Sequence, residues 1–174
     1  MMNGLLLLIP FLLIRFGILS IINKDAIKRA AYFPPMCGNE IFAYWIYQIS
    51  NIAIFVFLFF LTVIVEFSWL FYIGIIVYIL GLILCAISVI SFAIPSNEGF
   101  NYNGIYHCSR NPMYVSYFMY FVGCALLTQS LVLCGIVVIF QITSHWIILS
   151  EERWCIEKFG KEYKQYMKKV RRYI

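Results

Sequence analysis

Long apolar runs alternate along the chain with short segments that hold nearly all of its charged residues. The runs cover residues 4–22, 41–65, 68–94, 112–128 and 131–150. Lipid offers no partner for a free backbone N–H or C=O, so a chain crosses it as helix, using about 20 mostly apolar residues per crossing. The pattern therefore predicts an all-α, polytopic membrane protein with about five transmembrane helices. The last two are joined by a turn of only Gln129 and Ser130, which makes them a tight antiparallel hairpin. The first run could pass for a secretory signal, but it lacks a basic start and a small-residue cleavage site, and Arg15 interrupts it; a retained helix is expected. No Gly/Ser linker or repeat divides the 174 residues, so one domain is expected.

The polar segments between the runs carry the punctuation. Pro34 and Pro35 exclude regular helix before a cap at Asn39 or Glu40. Residues 95–111 have turn signals at Asn97 to Gly99 and at Asn103-Gly104, and end in Asn111-Pro112, an N-cap followed by a first-turn proline. After residue 150 the helical pattern continues through Glu151, Glu152, Arg153 and Trp154 to a break at Gly160. Beyond it Tyr163, Tyr166, Met167, Val170 and Ile174 share one helical face, with Lys161, Lys164, Lys168 and Arg171 on others. This predicts a short amphipathic helix at the cytoplasmic surface, lying against lipid or folding over a site as a lid.

Composition agrees with a lipid environment: 63% of residues are hydrophobic and 12% charged, against about half and a quarter in soluble domains. In a five-span arrangement Lys24, Lys28, Arg29, Arg110 and the basic residues from Arg153 onward all fall on one side, which puts the N-terminus outside and the C-terminus in the cytoplasm. Arg15 is the one basic residue within a span. Its nearness to the inner end of span one favours snorkelling, a buried functional arginine being the alternative. The net charge of +5 is concentrated in a tail that alternates with Glu151, Glu152, Glu157 and Glu162; it suits anionic lipid rather than nucleic acid. The six cysteines show no metal-ligand spacing, so no metal site and no disulfide framework is expected.

Candidate chemistry collects at the inner ends of the last two spans. Tyr106, Arg110, Asn111 and Tyr114 stand at one, Glu151 and Glu152 at the other, and antiparallel helices roughly 8–10 Å apart would bring them to one pocket. The helix start at Asn111 could hold an anion through free N–H groups, or Asn111 could simply cap it. Adjacent glutamates at a helix C-terminus oppose the helix dipole and call for basic neighbours or a cationic ligand. Ser144, His145 and Ser150 are the nearest polar candidates on that helix, and His145 is a candidate general base, ahead of His107 in the loop.

The spacing Gly104-x-Tyr106, Arg110-Asn111-Pro112-x-Tyr114, a hairpin containing Gly123, then Glu151-Glu152 and Phe159-Gly160-x-x-Tyr163-x-x-Tyr166 resembles the isoprenylcysteine carboxyl methyltransferase family over about residues 95–174. The resemblance implies a membrane methyltransferase that uses S-adenosyl-L-methionine. It implies cofactor contacts from Tyr106, from Asn111, Pro112, Met113 and Tyr114 with Arg110 beside them, from Glu151, and from Glu98, Gly99, Phe100 and Asn101 in the preceding loop. Glu151 would share the catalytic centre with His145. Tyrosine faces suit a sulfonium, and a carboxylate suits ribose hydroxyls or an ammonium. Two positions depart from the family. Asn111 replaces its usual histidine, and Ile147 stands where the prenylcysteine enzymes carry an arginine for the substrate carboxylate, a role that calls for a bidentate donor. The expected acceptor is a lipophilic small molecule or a lipidated one, and the missing arginine speaks against prenylcysteine.

Two other readings stay open at this level. Membrane sterol reductases that use a nicotinamide carry a similar hairpin and FGxxY tail, although the Glu151-Glu152 pair and the small size favour the methyltransferase. A non-catalytic protein could also retain the fold.

Overall fold

The computed structural model describes residues 2–94 and 100–173, apart from the Asp25 side chain. Its helices are α1 (Gly4–Ile22), α2 (Lys24–Ala30), α3 (Asn39–Phe60), α4 (Trp69–Ala93), α5 (Pro112–Leu127) and α6 (Leu131–Lys169). The chain is an all-α polytopic membrane protein: among the described residues α1, α3, α4 and α6 are long and apolar enough to cross a bilayer. The expected fourth span, α5, has 16 residues and is about 24 Å long, shorter than the roughly 30 Å hydrocarbon core. It packs along α4, while α3 packs on α6.

Two ends of the bundle are defined by cross-contacts. At one, the strand β1 (Met2–Asn3) pairs antiparallel with β2 (Thr62–Val63), and the Ile64 N–H donates to the Leu127 carbonyl at 3.0 Å. That pairing ends α3 at Phe60 rather than at residue 65, because the five following residues leave the helix to meet the N-terminus and α5. At the other end Asn23 and Arg29 donate to the Ala93 and Phe92 carbonyls at 3.3 and 3.1 Å. There too, Arg153 grips Glu40 with both guanidinium nitrogens at 2.6 and 2.7 Å. The helix before it is capped differently from expectation. Gly38, at φ 56, is the N-cap, and Glu40 reaches back from inside the first turn to accept the Cys37 N–H.

Close helix contact depends on glycine. A Cβ on Gly81 of α4 would lie 2.5 Å from the Tyr120 backbone nitrogen of α5, and one on Gly123 would lie 2.5 Å from Tyr78. Small residues at such crossings let backbones approach where no hydrophobic force drives helices together. The two tyrosines then reach α1 together, both hydroxyls donating to the Leu7 carbonyl at 2.9 and 2.8 Å. α1 is not uniform: a 3-10 turn at Gly4–Leu7 precedes a π-helical turn at Leu13–Ile18.

Gly160 breaks α6 as the sequence pattern implies, with φ 56 and ψ −119. The segment after the break turns its apolar face toward the bundle. Tyr163 and Val170 are buried against the protein, because the turn at Gly160 swings the apolar face inward; Ile174, the last member of that face, lies outside the described residues.

Gly81→Ala is expected to lower thermal stability in detergent by about 1–3 kcal/mol through overpacking. Gly135→Ala, where an added Cβ meets nothing, should leave it unchanged or slightly raised. An added Cβ at Gly160 also meets nothing, so Gly160→Ala isolates backbone strain. Its expected cost is about 1–3 kcal/mol, read as melting of the tail helix by circular dichroism.

Candidate active site

The residues that α5 and α6 carry to their adjoining ends meet as expected. Tyr114, near the start of α5, donates its hydroxyl to the Glu151 carboxylate at 2.8 Å. Glu152, one position on, points elsewhere. It is buried, and its two oxygens take Arg110 at 2.9 Å and Arg172 at 2.8 Å. The two glutamates therefore have separate work: Glu152 neutralises two arginines, while Glu151 meets a neutral phenol and remains open to a ligand. The dipole argument for the pair does not apply, because α6 continues past them to Lys169.

Arg110 and Asn111 are largely committed to the C-terminal tail. Besides Glu152, Arg110 reaches the Met167 carbonyl at 3.3 Å, and its backbone N–H donates to the Arg171 carbonyl at 3.0 Å. Asn111 occupies the N-cap position with Pro112 behind it, but its side chain makes no cap bond. Its amide donates to the Arg172 carbonyl at 3.1 Å instead. The capping expectation for this side chain fails: the Nδ2 donor is tied to the tail, far away in sequence, and the amide is held there without its oxygen meeting a first-turn N–H. The hydrogen bonds from Glu152 raise the Arg172 guanidinium further above its ordinary value.

The motif beyond α6's break acquires a mechanical meaning. Phe100 packs among Phe159, Tyr163 and Tyr166 with ring centroids 5.3, 5.4 and 5.6 Å away. The Tyr166 hydroxyl donates to the Tyr106 carbonyl at 2.6 Å. The Gly160 turn is what allows Phe159 and the two tyrosines to close on one loop from the same helix. Tyr106, in the short turn Gly104–His107, is buried. Burial pushes its phenol well above the usual value, with Tyr117, Tyr166 and Glu151 adding to the effect and Arg15 opposing it; it stays neutral and cannot serve as a base.

These groups line one cavity of about 670 Å³, within the roughly 300–1,000 Å³ of ligand sites. Of the expected site residues, Phe100, Asn101, Tyr106, Arg110, Asn111, Met113, Tyr114 and Glu151 line it. Pro112 is buried at the helix start without reaching it, and Glu98 and Gly99 lie outside the described residues. His145 is not on its wall: its Nδ1 lies 2.7 Å from the Tyr173 hydroxyl, so its ring holds the tail. The Asn101 side-chain oxygen is buried without a hydrogen-bond partner.

The cavity has a second half that sequence reasoning missed. Away from the loop its wall passes to Phe11 of α1, Phe55 of α3, Phe121 of α5 and Phe140 of α6, with Arg15 and Tyr117 at the junction. The Arg15 side chain lines the cavity: its guanidinium sits over the Tyr117 ring, 5.7 Å from the centroid, and reaches toward the basic end at the Ala30 carbonyl. The only sequence signal for this was its placement inside an apolar run.

A family model described as phospholipid methyltransferase matches residues 54–162. No curated protein and no solved structure matches the chain. The matched stretch takes in Tyr106, Asn111, Tyr114 and Glu151, and extends into α3 and α4, where the motif resemblance rested on apolarity alone. It covers well over half of the 174 residues, and the chain belongs to the phospholipid methyltransferase family, a membrane methyltransferase family of the type its C-terminal motif resembles.

Proposed function

We propose that this protein transfers a methyl group from S-adenosyl-L-methionine to a lipophilic or amphipathic acceptor bearing a carboxylate, thiol or amine. The observation that carries the reading is the two-part cavity: Glu151 and the Tyr106 turn at the polar loop end, four phenylalanines at bilayer depth. A water-soluble cofactor and a lipid-soluble acceptor can enter such a site from different solvents and meet inside it. A nicotinamide-dependent reductase is the less favoured reading, since the family match points to methyl transfer.

The residues present fit the cofactor. Glu151, which among the described residues accepts from the neutral Tyr114 hydroxyl alone, is an acceptor for ribose hydroxyls or for an ammonium. The Asn101 oxygen, buried and without a partner, supplies a further acceptor. The faces of Phe100, Tyr106 and Tyr166 along the cavity favour a cation by their quadrupoles. When bound, S-adenosyl-L-methionine supplies a methyl group on a positively charged sulfur that departs as a neutral thioether. The protein's part is then to orient the acceptor in line and to exclude water. The tail serves that exclusion: Arg172 and Tyr173 tie it across the start of α5. Charge bias supports a cytoplasmic face for this end, with the N-terminus outside.

Calorimetric titration of the detergent-purified protein with S-adenosylhomocysteine tests the reading. Saturable binding is expected, abolished by Glu151→Gln and weakened by Tyr114→Phe by about tenfold, the scale of one hydrogen bond to a charged group. Binding of NADPH alone would overturn it. Glu152→Gln should separate the neighbours: removing one partner of a buried ion pair costs about 3–5 kcal/mol, so this variant is expected to lose thermal stability first.

A further inference from the structure

Several cations line the cavity, and they differ in how the protein engages them. Arg110 is bound to Glu152, Arg29 donates to the Phe92 carbonyl, Lys28 has interactions of its own, and Lys158 stands over the Trp154 and Phe159 rings. Arg15 differs. Its Nη2 reaches the Ala30 carbonyl at 3.4 Å and its guanidinium lies over the Tyr117 ring, while its Nη1 is buried with no hydrogen-bond partner among the described residues; the Arg110 Nε is likewise without one, but that guanidinium is neutralised by Glu152. The ion pairs among the described residues join Arg110 and Arg172 to Glu152 and Arg153 to Glu40; Arg15 enters none.

Its position makes this costly. Arg15 lies about two turns before the end of α1, facing the bundle interior, and an ionisable group at such depth is costly unless it meets a partner. The backbone around it is the π-helical turn Leu13–Ile18, an irregularity that recurs at functional sites. One turn deeper, Phe11 packs on Tyr117, Tyr120 and Phe121, and the cavity wall beyond Arg15 is mainly aromatic, with the uncharged amides of Gln48 and Asn51 beside the four phenylalanines. Arg15 therefore stands between the charged loop end and the uncharged, mainly aromatic interior of the cavity, with one donor left without a protein partner among the described residues.

We propose that Arg15 holds the anionic group of the methyl acceptor, which is an amphiphile with a carboxylate or phosphate head and a hydrocarbon chain lying among Phe11, Phe55, Phe121 and Phe140. The assignment rests on the methyltransferase reading and gives its acceptor a charge. Glu151 and Arg15 then divide one cavity: the carboxylate takes the hydroxyls and cation of the cofactor, and the guanidinium takes the anion of the acceptor. Arginine suits this task because its planar fork matches both oxyanion types.

The test titrates the protein in a neutral maltoside detergent with decanoate, decyl phosphate and decanol, and separately with S-adenosylhomocysteine. At least one anion is expected to bind about tenfold or more tightly than decanol; the two anionic probes distinguish a carboxylate head from a phosphate. Arg15→Gln should bring that anion to the level of decanol and leave S-adenosylhomocysteine affinity unchanged, and Arg15→Lys should keep part of the preference. The proposal is overturned if neither anion is preferred over decanol by the wild-type protein, which requires no variant to fold. It is also overturned if Arg15→Gln weakens S-adenosylhomocysteine as much as the anion, which would assign Arg15 to the cofactor end. Failure of S-adenosylhomocysteine to bind the wild type sinks the methyltransferase reading by itself, and the three-probe comparison still decides whether Arg15 selects an anion.

Discussion

The buried carboxylate of Glu152 ties the site together. Alone at this position it would cost several kcal/mol in lost hydration; between Arg110 and Arg172 it is neutralised from two sides. Those arginines come from the loop before α5 and from the tail after α6, so a single side chain joins three segments that are remote in sequence. Because Arg110 directly precedes Asn111 and Pro112, the same tie sets where α5 begins, and with it the reach of Tyr114 toward Glu151. Adjacent residues on one helix thus do different jobs. Glu152 spends its charge on architecture, which leaves Glu151 free to face the cavity.

The rest of the architecture follows from what lipid withholds. Without a hydrophobic force between helices, α4 and α5 are joined by the reciprocal approach of Gly81 to Tyr120 and of Gly123 to Tyr78, and the two tyrosine hydroxyls then reach α1. The polar end needs a different device. Gly160 turns a helix of 39 residues back on itself, so that Tyr163 and Tyr166 close over Phe100 while Trp154 and Phe159 still line the wall. The outcome is a cavity that is aromatic and charged toward the basic end and mainly aromatic inside the bundle, where Gln48 and Asn51 of α3 add two amide groups to its wall.

Much of this is legible in the sequence, for reasons that are local. Apolar run length reports a span directly, a turn of Gln129 and Ser130 forces a hairpin, and a glycine between two helical patterns marks a break. The features that escaped depend on contacts between distant segments. Asn111 looks like a cap until the Arg172 carbonyl is known to lie beside it. The amphipathic tail looks like a lipid-facing helix because periodicity reveals an apolar face without revealing what covers it. α3 stops at Phe60 within an unbroken apolar run, since the N-terminal strand it meets lies at the other end of the sequence. Arg15 is the clearest case: the same residue at the same depth reads as snorkelling or as buried, and only the position of Tyr117 and the cavity decides. His145 is the converse, an attractive base by residue type that Tyr173 draws away from the chemistry.

The central claim is that a water-soluble methyl donor and a lipid-soluble acceptor meet in one cavity at Glu151. The most direct measurement incubates the purified protein with methyl-labelled S-adenosyl-L-methionine and a total polar lipid extract, then follows the label into the organic phase. The account predicts that label enters a lipid-soluble product with the wild-type protein and not with Glu151→Gln. Label that stays wholly in the aqueous phase, or a lipid product formed equally well by the variant, would contradict it.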